Sequence, residues 1–193
     1  MHVCCCAHIL NLIVTRGLKE LHASVAGIQN AVKYVRSSTS RLKAFKQCVD
    51  HVKGPNGTVV LDCITRWNST YLMLMTALKF REAFERMAEV DKPYESYLRE
   101  EENGKQIVGP PELEDREHAE RIVRFLKIFY NATLTFSASL SVTSNLYYDT
   151  IGLIENSLSA LEKSKNVYVH LMASSIREKY ANIGSAWRKS TKS

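Results

Sequence analysis

The sequence predicts a mainly α-helical chain, and three observations carry that reading. Gly and Pro number eight and four in 193 residues, too few for a protein built of many short strands and turns. Apolar residues recur at alternating steps of three and four along several segments, the period of a helix with one buried face. The strong breaks are confined to a few places, chiefly Gly54-Pro55-Asn56-Gly57 and Gly109-Pro110-Pro111, which leaves long uninterrupted stretches between them. With 45% apolar and 24% charged residues the composition is globular and excludes disordered, collagen-like and mucin-like classes. A single domain of this length buries roughly 70% of the surface of its unfolded chain, so one sizeable core is expected.

The first clear element follows Leu18, where Leu21, Val25, Ile28, Val32 and Val35 form one helical stripe. Lys19, Gln29, Lys33 and Arg36 fall opposite, so this helix is expected to dock by one side and show a basic one. The hydroxyl cluster 37–40 offers N-caps for a short basic helix over 42–52, which the Gly54–Gly57 break ends. A β-prone run covers 59–64. Beyond Thr65-Arg66-Trp67-Asn68-Ser69-Thr70, Tyr71, Leu74, Met75 and Leu78 form one stripe and Phe80, Phe84 and Met87 an adjoining one, which predicts a central helix ending before Pro93. Residues 92–111 hold an acidic run and two breaks with no apolar period, and read as a mobile linker.

Pro111 suits the first position of the next helix, and Glu112, Glu114 and Asp115 suit its dipole; Ile122, Leu126, Phe129, Thr133 and Phe136 continue the stripe. Val142-Thr143-Ser144-Asn145 caps another helix through Leu161, a turn follows at 163–166, and a last helix is expected over 167–180. The domain reading is therefore a helical region at 1–91, a linker at 92–111, a second helical region at 112–183 and a flexible tail at 184–193.

No apolar run approaches the ~20 residues needed to span a bilayer, and the start lacks the charged region and cleavage site of a secretory signal. Five Cys, three of them adjacent (Cys4, Cys5, Cys6), build no disulfide framework, so the chain reads as intracellular. The N-x-S/T triplets at Asn56, Asn68 and Asn131 carry no weight without secretion. The formal net charge of +6 is concentrated: residues 1–60 hold eight Lys and Arg against two acids. Arg16, Lys19, Lys33, Arg36, Arg41, Lys43, Lys46 and Lys53 would attract a phosphate backbone or an acidic partner; a solvated helix face is the plainer alternative.

Cys5-x-x-His8 places two potential zinc ligands on one helix face, with Cys48, Cys63 and His51 as the remaining candidates, but no second paired spacing completes a site. A Cys–His nucleophile lacks an orienting third group, and no phosphate-loop, dinucleotide, hydrolase or zincin motif occurs. Buried thiols and a hydrogen-bonded imidazole account for the same residues, and no lipidation motif supports acylation of the three adjacent Cys. Arg66-Trp67 precedes a helix, where the indole either stacks on a base or wedges into the core, and the guanidinium pairs with phosphate or a carboxylate such as Asp62.

Val3-Cys4-Cys5-Cys6-Ala7-His8-Ile9-Leu10-Asn11-Leu12, Ala31-Val32-Lys33-Tyr34-Val35-Arg36-Ser37-Ser38 and Leu61-Asp62-Cys63-Ile64-Thr65-Arg66-Trp67-Asn68-Ser69-Thr70-Tyr71 occur in one order. Together with the run from Phe125 to Ser139 and Val142-Thr143-Ser144-Asn145, they resemble the plant hAT-superfamily transposases and their domesticated RICESLEEPER- and DAYSLEEPER-like relatives with BED zinc fingers. The resemblance spans about residues 2 to 180. It implies that the chain is the helical insertion region of such a transposase, with at most a remnant of its RNase-H-like fold. It also implies a place for Trp67 beside a flipped base, and structural family roles for Cys5, His8, Asp62, Asn68 and Ser69.

The family's metal-holding Asp-Asp-Glu set, its BED finger and its dimerisation segment have no counterpart in this stretch. Cys4 replaces a commonly basic residue and Cys63-Ile64 the usual Val-Pro, and Met1 is read as an internal methionine of a truncated copy. The expectation is a non-catalytic, nuclear, transposase-derived DNA-binding fragment without cofactor, metal, membrane or small-molecule substrate. Its expected DNA contacts are Lys33, Arg36, Arg41, Lys43, Lys46, Arg66 and Trp67. The alternatives are a helical interaction module that pairs with hAT-family proteins or with itself through exposed apolar faces, and a zinc-stabilised helical domain.

Overall fold

The computed structural model describes residues 22–63, 66–99, 101–102, 105–106, 111–138, 144–163, 167 and 169–178, with 11, 12, 14, 15 and 18 ahead of them. It divides into two compact units, one of Ala23–Val123 and one of Met1–His22 with Arg124–Ser193. The fold is mainly helical, as the sparse Gly and Pro predict. The only paired strands among the described residues are β1 (Glu101–Glu102) and β2 (Lys105–Gln106), an antiparallel ladder with Glu101 opposite Gln106.

In the first unit, α1 (His22–Arg36) is followed by α2 (Thr39–His51). The predicted stripe of Val25, Ile28, Val32 and Val35 is buried, but so are Ala26, Ala31 and Tyr34. Helix α1 is therefore a central rod with one narrow exposed edge, not a helix with one solvated half. Ser38 caps α2 by accepting from the Arg41 N–H at 3.2 Å, as the hydroxyl cluster predicts. The other end closes by bonds from Lys53 N–H to the Asp50 carbonyl and from Gly54 N–H to the Val49 carbonyl. That pair is a Schellman turn, and it puts Lys53 at φ 52° where glycine is the usual occupant.

Sequence reading joins the next apolar stretch into one helix. The chain instead forms α3 (Trp67–Lys79) and α4 (Arg81–Val90), broken at Phe80. Phe80 takes φ −100° and ψ 21°, its N–H bonds the Ala77 carbonyl three residues back, and its ring turns inward. The shift between the two apolar stripes reflects this change of helix direction. Phe45 of α2 meets Phe80 at 5.8 Å and Phe84 of α4 at 4.7 Å between ring centroids, which locks α2 onto α4.

The predicted linker at 92–111 is corrected over its first half, where Lys92–Arg99 form α5. Pro93 falls in the first turn, where no intrahelical N–H bond is lost, and Tyr94 and Leu98, one turn apart, are both buried. Tyr94 meets Tyr34 of α1 edge-on and Tyr97 meets it tilted, at 5.1 and 5.2 Å between ring centroids. The β-prone run is also corrected: residues 59–63 pair with no strand among the described residues. Side chains of α3 satisfy this backbone instead, since Val60 N–H donates to Thr76 Oγ1 at 3.4 Å and Cys63 N–H to Ser69 Oγ at 2.8 Å.

Helix α6 (Leu113–Ala138) starts two residues after Pro111, and Asp115 reaches back to accept the Glu112 N–H at 3.0 Å in capping-box fashion. Within the first unit, Arg116 of α6 and Arg81 both pair with Glu85 of α4. The second unit buries Phe125, Leu126 and Phe129 of α6, Ile154 and Leu158 of α7 (Ser144–Glu162), and Val169, Met172 and Ile176 of the helical run 169–178. Glu162 joins the last two segments, accepting Arg177 Nε at 2.7 Å. The predicted tail at 184–193 lies outside the described residues.

Candidate nucleic-acid interface

The exposed edge of α1 is set by helical arithmetic. Gln29, Lys33 and Arg36 recur at steps of four and three, so they share one edge of a helix whose other positions are largely buried. Lys33 and Arg36 are exposed, whereas Gln29 is half-buried and donates from Nε2 to Asp62 Oδ2 at 2.8 Å. The other carboxylate oxygen of Asp62 accepts the hydroxyl of Thr70 at 2.9 Å. One side chain thus ties the basic edge of α1 to the first turn of α3.

Arg66 is the N-cap residue of α3, one helical turn before Thr70, and it is exposed. The clasp joins α1 to the first turn of α3 across 33 residues of sequence, and Arg66 stands exposed one turn ahead of its Thr70 partner. Ser69 adds a second fastening, accepting from Cys63 N–H and donating to the Leu61 carbonyl at 3.2 Å. Asp62 and Ser69, both family-motif positions, thus each fasten the 61–63 segment to α3. Asn68 is half-buried, and its Oδ1 is buried without a hydrogen-bond partner.

The remaining expected contacts do not converge on this edge. Arg41 packs on aromatic rings: its guanidinium lies 4.0 Å from the Tyr34 ring centroid and 5.7 Å from that of Tyr97, and its Nη1 donates to Ser37 Oγ at 2.8 Å. Lys43 and Lys46 are exposed one turn apart on α2, opposite the face that buries Phe45 and Cys48, with Asp50 beside them. Trp67 is corrected most sharply. Its residue exposure is 2%, so no indole face is open for a base to stack on.

Cys5 and His8 lie outside the described residues. Of the other zinc candidates, Cys48 is buried and Cys63 and His51 are exposed, and no group of three His, Cys, Asp or Glu residues suited to a metal ion occurs among the described residues. Burial pushes the Cys48 thiol above its ordinary pKa, which disfavours the thiolate that binds metal. No helix of the described residues is long and apolar enough to cross a membrane.

Comparison with known proteins places the chain. Residues 3–108 match the family model of the ZBED1 RNase-like helical domain. The chain is 27% identical over 177 residues to the zinc finger BED domain-containing protein RICESLEEPER 2 of Oryza sativa subsp. japonica, covering 91% of this chain and 23% of that protein. It is 29% identical over 185 residues to a Zea mays protein bearing the name AC transposase, covering 93% and 21%. Against DAYSLEEPER of Arabidopsis thaliana the identity is 25% over 145 residues, covering 75% and 18%. The chain spans about a quarter or less of the length of these relatives. No solved structure matches it.

Proposed function

The chain belongs to the ZBED1 RNase-like helical domain family, and from that premise we propose that it is a non-catalytic, nuclear DNA-binding segment of an hAT-like protein. The observation that supports the reading is the exposed pair Lys33 and Arg36 on one edge of α1, with the Asp62 clasp tying Gln29 of that edge to the first turn of α3, which the exposed Arg66 precedes. Cations spaced along one edge of a helix suit the sequence-independent attraction to a phosphate backbone.

The test is fluorescence anisotropy of a labelled duplex at about 50 and about 200 mM salt, with Lys33→Ala, Arg36→Ala and Arg66→Ala beside the wild type. Binding that weakens with salt and falls in each variant supports the edge. A folded wild-type chain that binds no duplex at about 50 mM salt defeats it.

A second reading, association with another copy or an hAT-family protein, has its own observation. Val167 and Leu171, four residues apart in sequence, are 65% and 49% exposed, two open apolar side chains. Sedimentation that shows salt-insensitive self-association, abolished by Val167→Lys and Leu171→Lys, would favour it.

A further inference from the structure

A cleft of about 690 Å³ opens in the first unit between α2, α4 and the start of α5. Its size falls within the ~300–1,000 Å³ range of small-ligand sites. It is separate from the α1 edge, and neither Lys33, Arg36 nor Arg66 lines it. Two guanidinium groups, Arg41 and Arg86, and the imidazole of His51 line it, together with the hydroxyls of Ser38 and Ser40. Ala44 and Val90 supply apolar surface in the same lining, over the fully buried Met87.

Arg41 is the anchor of the argument. It is held by Tyr34 on its face and by Ser37 at Nη1, so it is fixed before any ligand arrives and loses little freedom on binding. Its fork geometry matches a phosphate. Arg86 is positioned by Glu89 at 2.8 Å, and Glu89 itself does not line the cleft. The one carboxylate in the lining, Asp91, accepts the Tyr34 hydroxyl at Oδ2, leaving Oδ1 as an acceptor for an amino group. Phosphate donors, an apolar wall and an amino-group acceptor in one nucleotide-sized cleft describe a single ligand chemistry.

We propose that this cleft binds a phosphorylated nucleoside, its phosphate at Arg41 and Arg86 and its ring against Ala44 and Val90. The source of that unit is either one nucleotide of a single strand or a free nucleotide. The site does not rest on duplex binding at the α1 edge, and it stands or falls separately.

The experiment measures anisotropy of two probes with the full chain, a fluorescein-labelled 12-residue oligo(dA) and fluorescently labelled ADP. The variants are Arg41→Gln, Gln47→Glu and Lys33→Glu. Gln47 lines the cleft but is exposed, so the Gln47→Glu variant places a negative charge in the site while keeping the core intact. At least one probe is expected to bind, and Arg41→Gln and Gln47→Glu are each expected to weaken it about tenfold, the order of one charge-assisted hydrogen bond. Lys33→Glu should leave ADP binding unchanged. Binding of oligo(dA) alone assigns a strand as the source, and ADP binding assigns the free nucleotide. Absence of binding by both probes overturns the proposal. So does wild-type affinity in a Gln47→Glu variant whose thermal melt matches the parent.

Discussion

Replacing Asp62 with Ala tests the link between the fold and the interface. The carboxylate accepts from Gln29 Nε2 at 2.8 Å and Thr70 Oγ1 at 2.9 Å, both to a charged acceptor. Hydrogen bonds to charged groups contribute about 1.5 to 3 kcal/mol each when water is excluded. Gln29 and Asp62 are half-buried, so water replaces part of that bond, and about 1 kcal/mol is reasonable for it. Thr70 is buried and finds no water once the carboxylate is gone, so its share is about 2 kcal/mol. The expected loss is therefore about 3 kcal/mol for Asp62→Ala, and about 1 to 2 for Asp62→Asn, which keeps one acceptor oxygen.

Urea unfolding followed by circular dichroism reads the difference as a change in midpoint at constant slope. The Gln29→Ala, Asp62→Ala double-mutant cycle isolates the α1 bond and should return a coupling of about 1 kcal/mol. The Asn variant also removes a negative charge from the basic edge while keeping most of its geometry, so it should bind duplex DNA more tightly as it becomes less stable. Opposite signs in the two assays are the signature of a structural acid set within a cationic surface. A stability change within about 0.5 kcal/mol, the usual scatter of surface substitutions, would refute the clasp.

Lys53→Gly should stabilise the chain, since a left-handed non-glycine residue costs roughly 1 kcal/mol and the added unfolded-state freedom of glycine returns only part of that; a gain of about 0.5 kcal/mol in urea is expected. Tyr34, pushed up to about 12 first by burial and then by its bond to Asp91, holds its proton in the folded state above the pH at which the unfolded chain releases it. Its contribution is thus complete below about pH 10 and lost on rising toward 12, on the order of 2 kcal/mol, and Tyr34→Phe should remove this part of the alkaline decline in pH-dependent urea melts. Trp67→Phe should lower stability by about 1 to 3 kcal/mol and leave duplex affinity unchanged at matched folded fraction, whereas a selective loss of affinity would restore the stacking role.

Local signals were legible because the physics behind them is local. The hydroxyls before Thr39 and the Gly54 stop each act within one turn, and both ends of α2 follow them. Helix α5 escaped because eight residues hold too little of a period, and Pro93 reads as a stop although the first turn accepts it. The β-prone run 59–64 misled over its described part, 59–63, for a different reason: strand propensity describes a backbone that needs partners, and here side-chain hydroxyls of α3 supply them. The Asp62 clasp joins residues 33 apart, a distance no periodic pattern reports. Trp67 shows the limit of a motif, which names a residue type at a position without revealing which way the ring turns.

The charge count of the first sixty residues overstates the surface that one DNA duplex can meet, and salt dependence measures by how much. Each phosphate neutralised adds about 0.9 to the slope of log affinity against log salt. If Lys33, Arg36 and Arg66 alone engage, raising salt from about 50 to about 200 mM should weaken binding about 40-fold. If Arg41, Lys43 and Lys46 engage as well, the same step should cost about 2,000-fold. The structure favours the smaller figure, because Arg41 lines the separate cleft beside α4 and the two lysines stand on the outer face of α2 beside Asp50. A slope near three with Lys43→Ala and Lys46→Ala unchanged would confine the interface to the α1 edge. A slope near six would place both helices on one phosphate track and overturn the separation of their charges.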